Sequence, residues 1–225
     1  MDVSVSAIIV AAGAANRFGQ DKLKLPFAGT TVALAAVRPF VLCPKVGEVV
    51  FVAPKGQAEE YRAIFHKALD YDPWGTPTLS NPFDPDGKLW QKRPVLFWQV
   101  TEGGDTRTES VKAGLEVARG RFVLVHDGAR PNVSINLIDK VIEALTAHPD
   151  HGILPVTPVV NSVLTVGDEG AQYLDRSRVR ELQTPQGFDA ARLKEALAQG
   201  DYTDEGSAYA RTHPLLTVEG EVENR

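Results

Sequence analysis

The sequence predicts an α/β fold, a three-layer, mostly parallel sheet with an extended β-hairpin arm, and three observations predict it. Apolar runs of strand length alternate with segments of helical apolar spacing through most of the 225 residues. The first run, Val5 to Ala12, is almost wholly apolar, as a strand buried on both faces must be, and such strands belong to parallel sheets. Near residue 160 the alternation gives way to two extended stretches around a Gly-Asp-Glu-Gly turn at 167 to 170, the pattern of a hairpin leaving a compact domain.

In chain order, Val32 to Phe40 has helical spacing, Glu48 to Ala53 reads as a strand, and Glu59 to Leu69 places Tyr61, Ile64, Phe65, Ala68 and Leu69 on one helical face. From Asp70 to Arg93 prolines and turn pairs such as Asp72-Pro73 and Asp86-Gly87 break the pattern, so an inserted surface loop is expected. Regularity resumes with strand Val95 to Val100, helix Thr108 to Ala118, strand Phe122 to His126, helix Ile135 to Ala147 and strand Gly152 to Pro158. The arm then runs out along Val159 to Val166 and back along Tyr173 to Leu182. Helices at Ala190 to Leu197 and Asp204 to Arg211 and a strand from Leu215 to Val218 complete the chain.

With 43% apolar residues, the chain is sized for one domain, expected over 1–225, with the insert at 70–93 and the arm at about 159–182. Lys plus Arg number 24 against 29 Asp plus Glu, a net charge of −5. That balance excludes a protein that binds nucleic acid or anionic membranes through a broad basic face. Any phosphate must be held locally. Cys43 is the single cysteine, which excludes an internal disulfide and a cysteine metal cage. No targeting or membrane-spanning segment is read from the N-terminus, and a cytoplasmic location is expected.

In an open α/β sheet ligands bind beyond the carboxyl ends of the strands, so the loops after Ala12, Val100, His126 and Pro158 carry the chemistry. The first contains Ala11-Ala12-Gly13, followed by Arg17 and Lys24. Small residues let backbone N–H groups approach an anion, and the two cations supply the charge that phosphates require. A plain strand-to-helix turn accounts for the same residues. The second, Gly103 to Ser110, sets Gly104, Asp105, Arg107 and Ser110 at the mouth of a helix, where ligand contact competes with simple N-capping by Thr106 or Thr108. In the third, Asp127 stands where a carboxylate can hold a Mg²⁺ that bridges nucleotide phosphates, unless it only pairs with Arg130 across a turn. His126 reads as a packed strand residue. His148 and His151 lack further ligands nearby in sequence, and Trp74, Trp90 and Trp98 read as anchors of the insert and as core. Cys43 reads as inert core.

Taken together these stretches resemble the nucleotide-diphospho-sugar transferase superfamily, and within it the 2-C-methyl-D-erythritol 4-phosphate cytidylyltransferases. The resemblance rests on A-A-G with Arg17 and Lys24, G-G-x-x-R-x-x-S from Gly103, H-D-x-A-R-P from His126, and Asp175-Arg176. It continues through T-P-Q at 184 to 186, T-D-E at 203 to 205 and V-E-G-x-x-x-N at 218 to 224. It implies a Rossmann-like domain that transfers CMP from CTP to 2-C-methyl-D-erythritol 4-phosphate and releases pyrophosphate, a step of non-mevalonate isoprenoid synthesis. Arg17, Lys24 and Arg176 would be catalytic and Asp127 would hold Mg²⁺. Ala11, Ala12, Gly13, Gly104, Asp105 and Ser110 would surround the cytidine, with Arg107 and Arg130 among the substrate-binding residues. The arm would make a homodimer, so that Arg176, with Asn161 and Ser162 nearby, grips the acceptor phosphate in the neighbour's site.

Four departures accompany the resemblance. Lys24 sits in Leu-Lys-Leu-Pro rather than Pro-Lys-Gln-Tyr, Ser162 stands where the family has Thr, and the 70–93 insert matches nothing in the family pattern. The chain also stops at Arg225, before the family's terminal lysine. A missing tail is the expectation, either because the chain is shortened or one piece of a fusion with the next enzyme of the pathway, or because the enzyme lacks that lysine and the helix that follows it. The rival readings are a ribitol 5-phosphate cytidylyltransferase, guanylyl transfer to a pterin, and a nucleotide-binding module without turnover.

Overall fold

The structure, a computed structural model, describes residues 4–12, 22–69, 97–168 and 170–224. Its strands are β1 (Val5–Val10), β2 (Pro26–Phe27), β3 (Thr30–Thr31), β4 (Glu48–Ala53), β5 (Phe97–Glu102), β6 (Phe122–Asp127) and β7 (Gly152–Pro158), then β8 (Val163–Gly167), β9 (Gly170–Leu174), β10 (Arg180–Leu182), β11 (Gln186–Asp189) and β12 (Leu215–Glu219). The helices are α1 (Val32–Leu42), α2 (Ala58–Leu69), α3 (Arg107–Val117), α4 (Ile135–Ala147), α5 (Ala190–Leu197) and α6 (Glu205–Tyr209).

Every residue of β1 is buried. Because successive strand side chains point to opposite faces, Val5, Ala7 and Ile9 join one core while Ile8 and Val10 join the other. The central strands β4 and β6 repeat the division, with Phe51 and Leu124 on the first face and Val52 and Val125 on the second. Apolar residues of α1, α2 and α4 cover the first face, and those of α3, α5 and α6 cover the second. Three layers result, as the continuous apolar strands predict.

β5, β4, β1 and β6 are parallel neighbours in that order. β11 then pairs antiparallel with β6, and β7 follows it. Ile153 of β7 is registered with both Gly187 and Leu216, so parallel β12 lies on the side of β7 away from β11. The sheet is therefore mixed but mostly parallel.

Side-chain caps fix where the helices begin: Thr31, Thr106, Ser134, Asp189 and Asp204 each accept a hydrogen bond from a backbone N–H of the following turn. Such a cap contributes about 1 kcal/mol and sets the direction in which the helix leaves its strand.

Three expectations need correction. The returning limb of the arm is not one strand from Tyr173 to Leu182: β9 ends at Leu174, a 3₁₀ turn spans Arg176–Arg178, and β10 rejoins the main sheet antiparallel to β7. The free hairpin is thus β8 and β9 alone, because Asp175 caps the turn through its Ser177 N–H. β11, unforeseen in the sequence, is only Gln-Gly-Phe-Asp, too short to carry a strand period. The strand expected at 95–100 spans Phe97–Glu102, and the last helix stops at Tyr209. The proline-rich insert, with Trp74 and Trp90, lies outside the described residues, whereas Trp98 packs partly buried against the first core.

Candidate active site

Strand ends converge on one rim of the sheet. Ala11 N–H donates to Val52 O at 2.9 Å, Gly103 N–H donates to Ala53 O at 2.9 Å, and Gly128 N–H donates to Val10 O at 2.8 Å. Only glycine fits at 103, since a Cβ would overlap that of Ala12 and lie 2.8 Å from Ser110 Oγ. Immediately after it α3 opens with a capping box: Thr106 Oγ1 accepts from Glu109 N–H at 3.1 Å, and the Glu109 carboxylate accepts from Asp105 and Thr106 N–H at 2.6 and 3.1 Å. The 103–106 loop is thereby fixed against Ala12. The exposed Asp105 carboxylate meets Lys55 at 3.0 Å.

Asp127 ends β6 with its side chain 26% exposed and both carboxylate oxygens engaged. Arg107 Nη1 donates to Oδ1 at 2.6 Å and Arg130 Nε donates to Oδ2 at 3.0 Å. The remaining edge of the Arg107 guanidinium, Nε and Nη2, forks onto the two carboxylate oxygens of Glu205, both at 3.0 Å. Glu205 is almost wholly buried. Two carboxylates and two guanidiniums balance, and the fork supplies the geometry that desolvated charges need. Burial works against the charge on Arg107, but Glu205 and Asp127 outweigh it and raise the guanidinium further. Burial likewise works against ionisation of Asp127, yet Arg107 and its other charged neighbours hold that carboxyl below its usual range.

Behind Asp127, His126 is fully buried, between the backbone carbonyl of Arg130 (Nε2, 3.0 Å) and Thr184 Oγ1 (Nδ1, 2.9 Å). A carbonyl only accepts, so the ring proton sits on Nε2 and Nδ1 accepts from the threonine hydroxyl. Thr184 Oγ1 then accepts from the Asp127 N–H at 3.2 Å. Burial pushes the imidazole down to about 4, which keeps this neutral arrangement.

The last residues close the rim. Asn224 Nδ2 donates to Thr184 O at 2.7 Å, and Arg130 Nη1 donates to Asn224 O at 3.2 Å. Gln183 Nε2 donates to Glu221 O at 2.6 Å, while Gln186 Oε1 accepts from Gly206 N–H of α6 at 3.0 Å. A rim with small-residue loops, fixed N–H groups and a carboxylate held ionised by arginines suits a phosphorylated ligand.

The family model described as "IspD: 2-C-methyl-D-erythritol 4-phosphate cytidylyltransferase" matches residues 84–224. The chain belongs to the 2-C-methyl-D-erythritol 4-phosphate cytidylyltransferase family. Among its relatives, the enzyme of that name from Bacteroides fragilis is 30% identical over 97% of this chain and 91% of its own length. A bifunctional IspD/IspF enzyme from Solidesulfovibrio magneticus is 33% identical over 99% of this chain but only 54% of its own, so the chain spans about half of that relative. The solved bifunctional IspDF of Campylobacter jejuni superposes with a TM-score of 0.73 at 30% identity, covering 99% of this chain and 51% of that one. At 22% identity, a 4-diphosphocytidyl-2C-methyl-D-erythritol synthase from Anaerococcus prevotii shows the fold, with a TM-score of 0.76 over 100% of this chain and 92% of that one. As a member of this family the chain is a nucleotidyltransferase.

In this cytidylyltransferase the structure brings Ala11, Ala12, Gly104, Asp105, Asp127 and Arg130 to the rim. Arg107 is also there, turned onto Asp127 and Glu205. The Asp127–Arg130 turn pair, posed as the alternative to a metal role, is present. Ser110 is fully buried and donates to Thr106 O at 2.8 Å, so it backs the loop. Lys24 is bonded to Glu60 at 2.7 Å and lies over the Tyr61 ring, both in the first turns of α2 just past the end of β4. Asn161, Ser162 and Arg176 are exposed at the arm, where Arg176 Nη1 donates to Val160 O at 2.9 Å. Gly13 and Arg17 lie outside the described residues.

Glu205, Thr184, Gln183, Gln186 and Asn224 were not foreseen as individual site residues. The short T-P-Q, T-D-E and terminal Asn motifs mark their places, but nothing in the spacing joins Glu205 to Arg107, 98 residues away.

No group of three or more His, Cys, Asp or Glu among the described residues could cage a metal. Mg²⁺ needs less, typically one or two carboxylates completed by substrate phosphates and water. An ionised Asp127 retains a free lone pair on each oxygen beside its arginine bonds, so the residues present fit a cation that arrives with a nucleotide.

Proposed function

We propose that this chain transfers the cytidylyl group of CTP to the phosphate of 2-C-methyl-D-erythritol 4-phosphate, and that the rim around Asp127 is where it does so. A phosphate oxygen of the acceptor forms a bond to the α-phosphorus of CTP as the bond from that phosphorus to the bridging oxygen of the β-phosphate breaks. Pyrophosphate leaves with the electron pair. The protein has little covalent work in such a step, so positioning and charge neutralisation carry the rate. The fixed 103–106 loop and Ala11-Ala12 face the nucleoside, while Lys24, with Arg17, neutralises the triphosphate. Asp127 would hold Mg²⁺ against the phosphates, where the cation supplies further neutralisation of the growing charge. The observation that carries the reading is the Asp127 carboxylate, held ionised at the end of β6 within loops that bear the family's motifs.

The chain acts, in this reading, as a homodimer joined by the arm. On the β8–β9 ribbon Leu164 pairs with Tyr173 and Val166 with Ala171, which puts four apolar side chains on one face. Tyr173 is 80% and Val166 78% exposed in the single chain, surface that a second subunit would cover. Arg176 then reaches a neighbour's acceptor phosphate, with Asn161 and Ser162 beside it. A cytoplasmic location accompanies this reading, in keeping with a lone buried thiol.

The test is pyrophosphate release with CTP and Mg²⁺, offering 2-C-methyl-D-erythritol 4-phosphate and ribitol 5-phosphate in parallel. Release with the first acceptor alone is expected. Lys24→Ala should lower kcat by roughly 10² to 10³ while melting like the parent, because its exposed ion pair with Glu60 contributes little to folding. Release with ribitol 5-phosphate alone would reassign the acceptor, and CTP binding without turnover would make the chain a nucleotide-binding module.

A further inference from the structure

Glu205 is a carboxylate buried at the first position of α6, and among the described residues its side-chain bonds go to a single residue, Arg107. Arg107 in turn begins α3, and neighbouring bonds lock the two helix starts together. Tyr202 N–H donates to Thr108 Oγ1 at 2.8 Å and Thr106 Oγ1 donates to Asp201 Oδ1 at 3.2 Å, while Gln186 of β11 separately holds Gly206 N–H. The 201–206 segment would therefore stay docked without any ion pair, so tethering alone does not account for a charge placed this deep. What the fork does is geometric: it occupies Nε and Nη2, so the planar guanidinium presents Nη1 alone to Asp127, on one oxygen, at 2.6 Å. It also sets a second carboxylate against Arg107, whose positive charge would otherwise fall on Asp127 alone.

We propose that Glu205 is a positioning residue, which acts through Arg107 to limit that arginine to one bond with Asp127 and so keeps the Asp127 carboxylate oriented and available to the nucleotide. Freed from Glu205, the guanidinium can turn its fork onto Asp127 and take the lone pairs that the ligand needs. The inference rests on the reading that Asp127 faces the nucleotide, and it deepens that reading.

A double-mutant cycle between Glu205→Gln and Asp127→Asn tests it, read both as CTP affinity by calorimetry in the presence of Mg²⁺ and as kcat/KM for pyrophosphate release. Glu205→Gln is nearly isosteric. Alone it should weaken CTP binding and kcat/KM by about tenfold or more, the scale of losses from groups that orient a ligating carboxylate. In the Asp127→Asn background the same substitution should add almost nothing, because the residue it acts through is already disabled. Equal penalties in both backgrounds, or a fall in melting temperature with CTP affinity intact, would overturn the proposal and leave Glu205 a structural tether. If Glu205→Gln does not fold, Glu205→Asp reads the same relay: the shorter carboxylate keeps its charge but cannot reach both Nε and Nη2, and it too should be silent on top of Asp127→Asn. Absence of turnover in the parent chain would count against the proposed reaction, while the calorimetric cycle would still decide the role of Glu205.

Discussion

His126 illustrates how one side chain can set the site without facing the ligand. Its neutral ring bridges the Arg130 carbonyl to Thr184, whose hydroxyl holds the Asp127 N–H, so the strand end and its turn move as a unit. The fold keeps the imidazole near 4, whereas in the unfolded chain it titrates near its ordinary 6.5. Between those values the unfolded state binds a proton that the native state does not, and stability therefore falls as pH falls through that window. The gap is worth about 3 kcal/mol when complete. In metal-free buffer, denaturant midpoints taken from pH 7 to pH 4 should decline accordingly. A His126→Asn variant, weaker at pH 7, should lose that part of the slope, and an unaltered slope would place the dependence on other groups. Cys43, also buried, has its thiol pushed by burial up to about 11 and is inert at neutral pH.

Among the elements, the 103–106 loop is the one whose shape the nucleotide would meet in the proposed reading. Its capping box and the missing Cβ at Gly103 bring β5's end against Ala12 of the first loop. Gly103→Ala should cost about 1–3 kcal/mol of stability through overpacking. It should also weaken CTP binding, since the displaced atoms belong to both loops proposed to face the nucleoside. Thermal melts with and without CTP separate the two effects. An equal shift in both would show that the loop supports folding and not the nucleotide.

For the whole molecule the arm matters most. A two-stranded ribbon with an apolar face is marginal alone in water and gains stability by covering that face. Val166→Asp is expected to shift the proposed homodimer to monomer in light scattering and to reduce turnover with it. Mixing an Arg176→Ala chain with a Lys24→Ala chain should restore about a quarter of parental activity, because half of randomly formed two-fold dimers would be mixed and each would hold one intact site of two. No recovery would place Arg176 within its own subunit's site.

Periodicity by itself determined the layered sheet, because strands buried on both faces and helices with one apolar stripe announce themselves over six or more residues. β1, β4, β6 and α4 fall where their patterns put them, within a residue or two at their ends. Motif order singled out Asp127, Arg107 and Arg130, which the fold brings into contact. Only the tertiary structure decided that β11 enters the sheet antiparallel between β6 and β7, since four residues are too few for a period and their partners lie far off in sequence. It also decided what Arg107 does. The sequence offers Glu205 as one acidic residue among 29, and only folding, by bringing residues 98 apart to 3.0 Å and removing their water, turns that carboxylate into the group that aims Arg107 at Asp127.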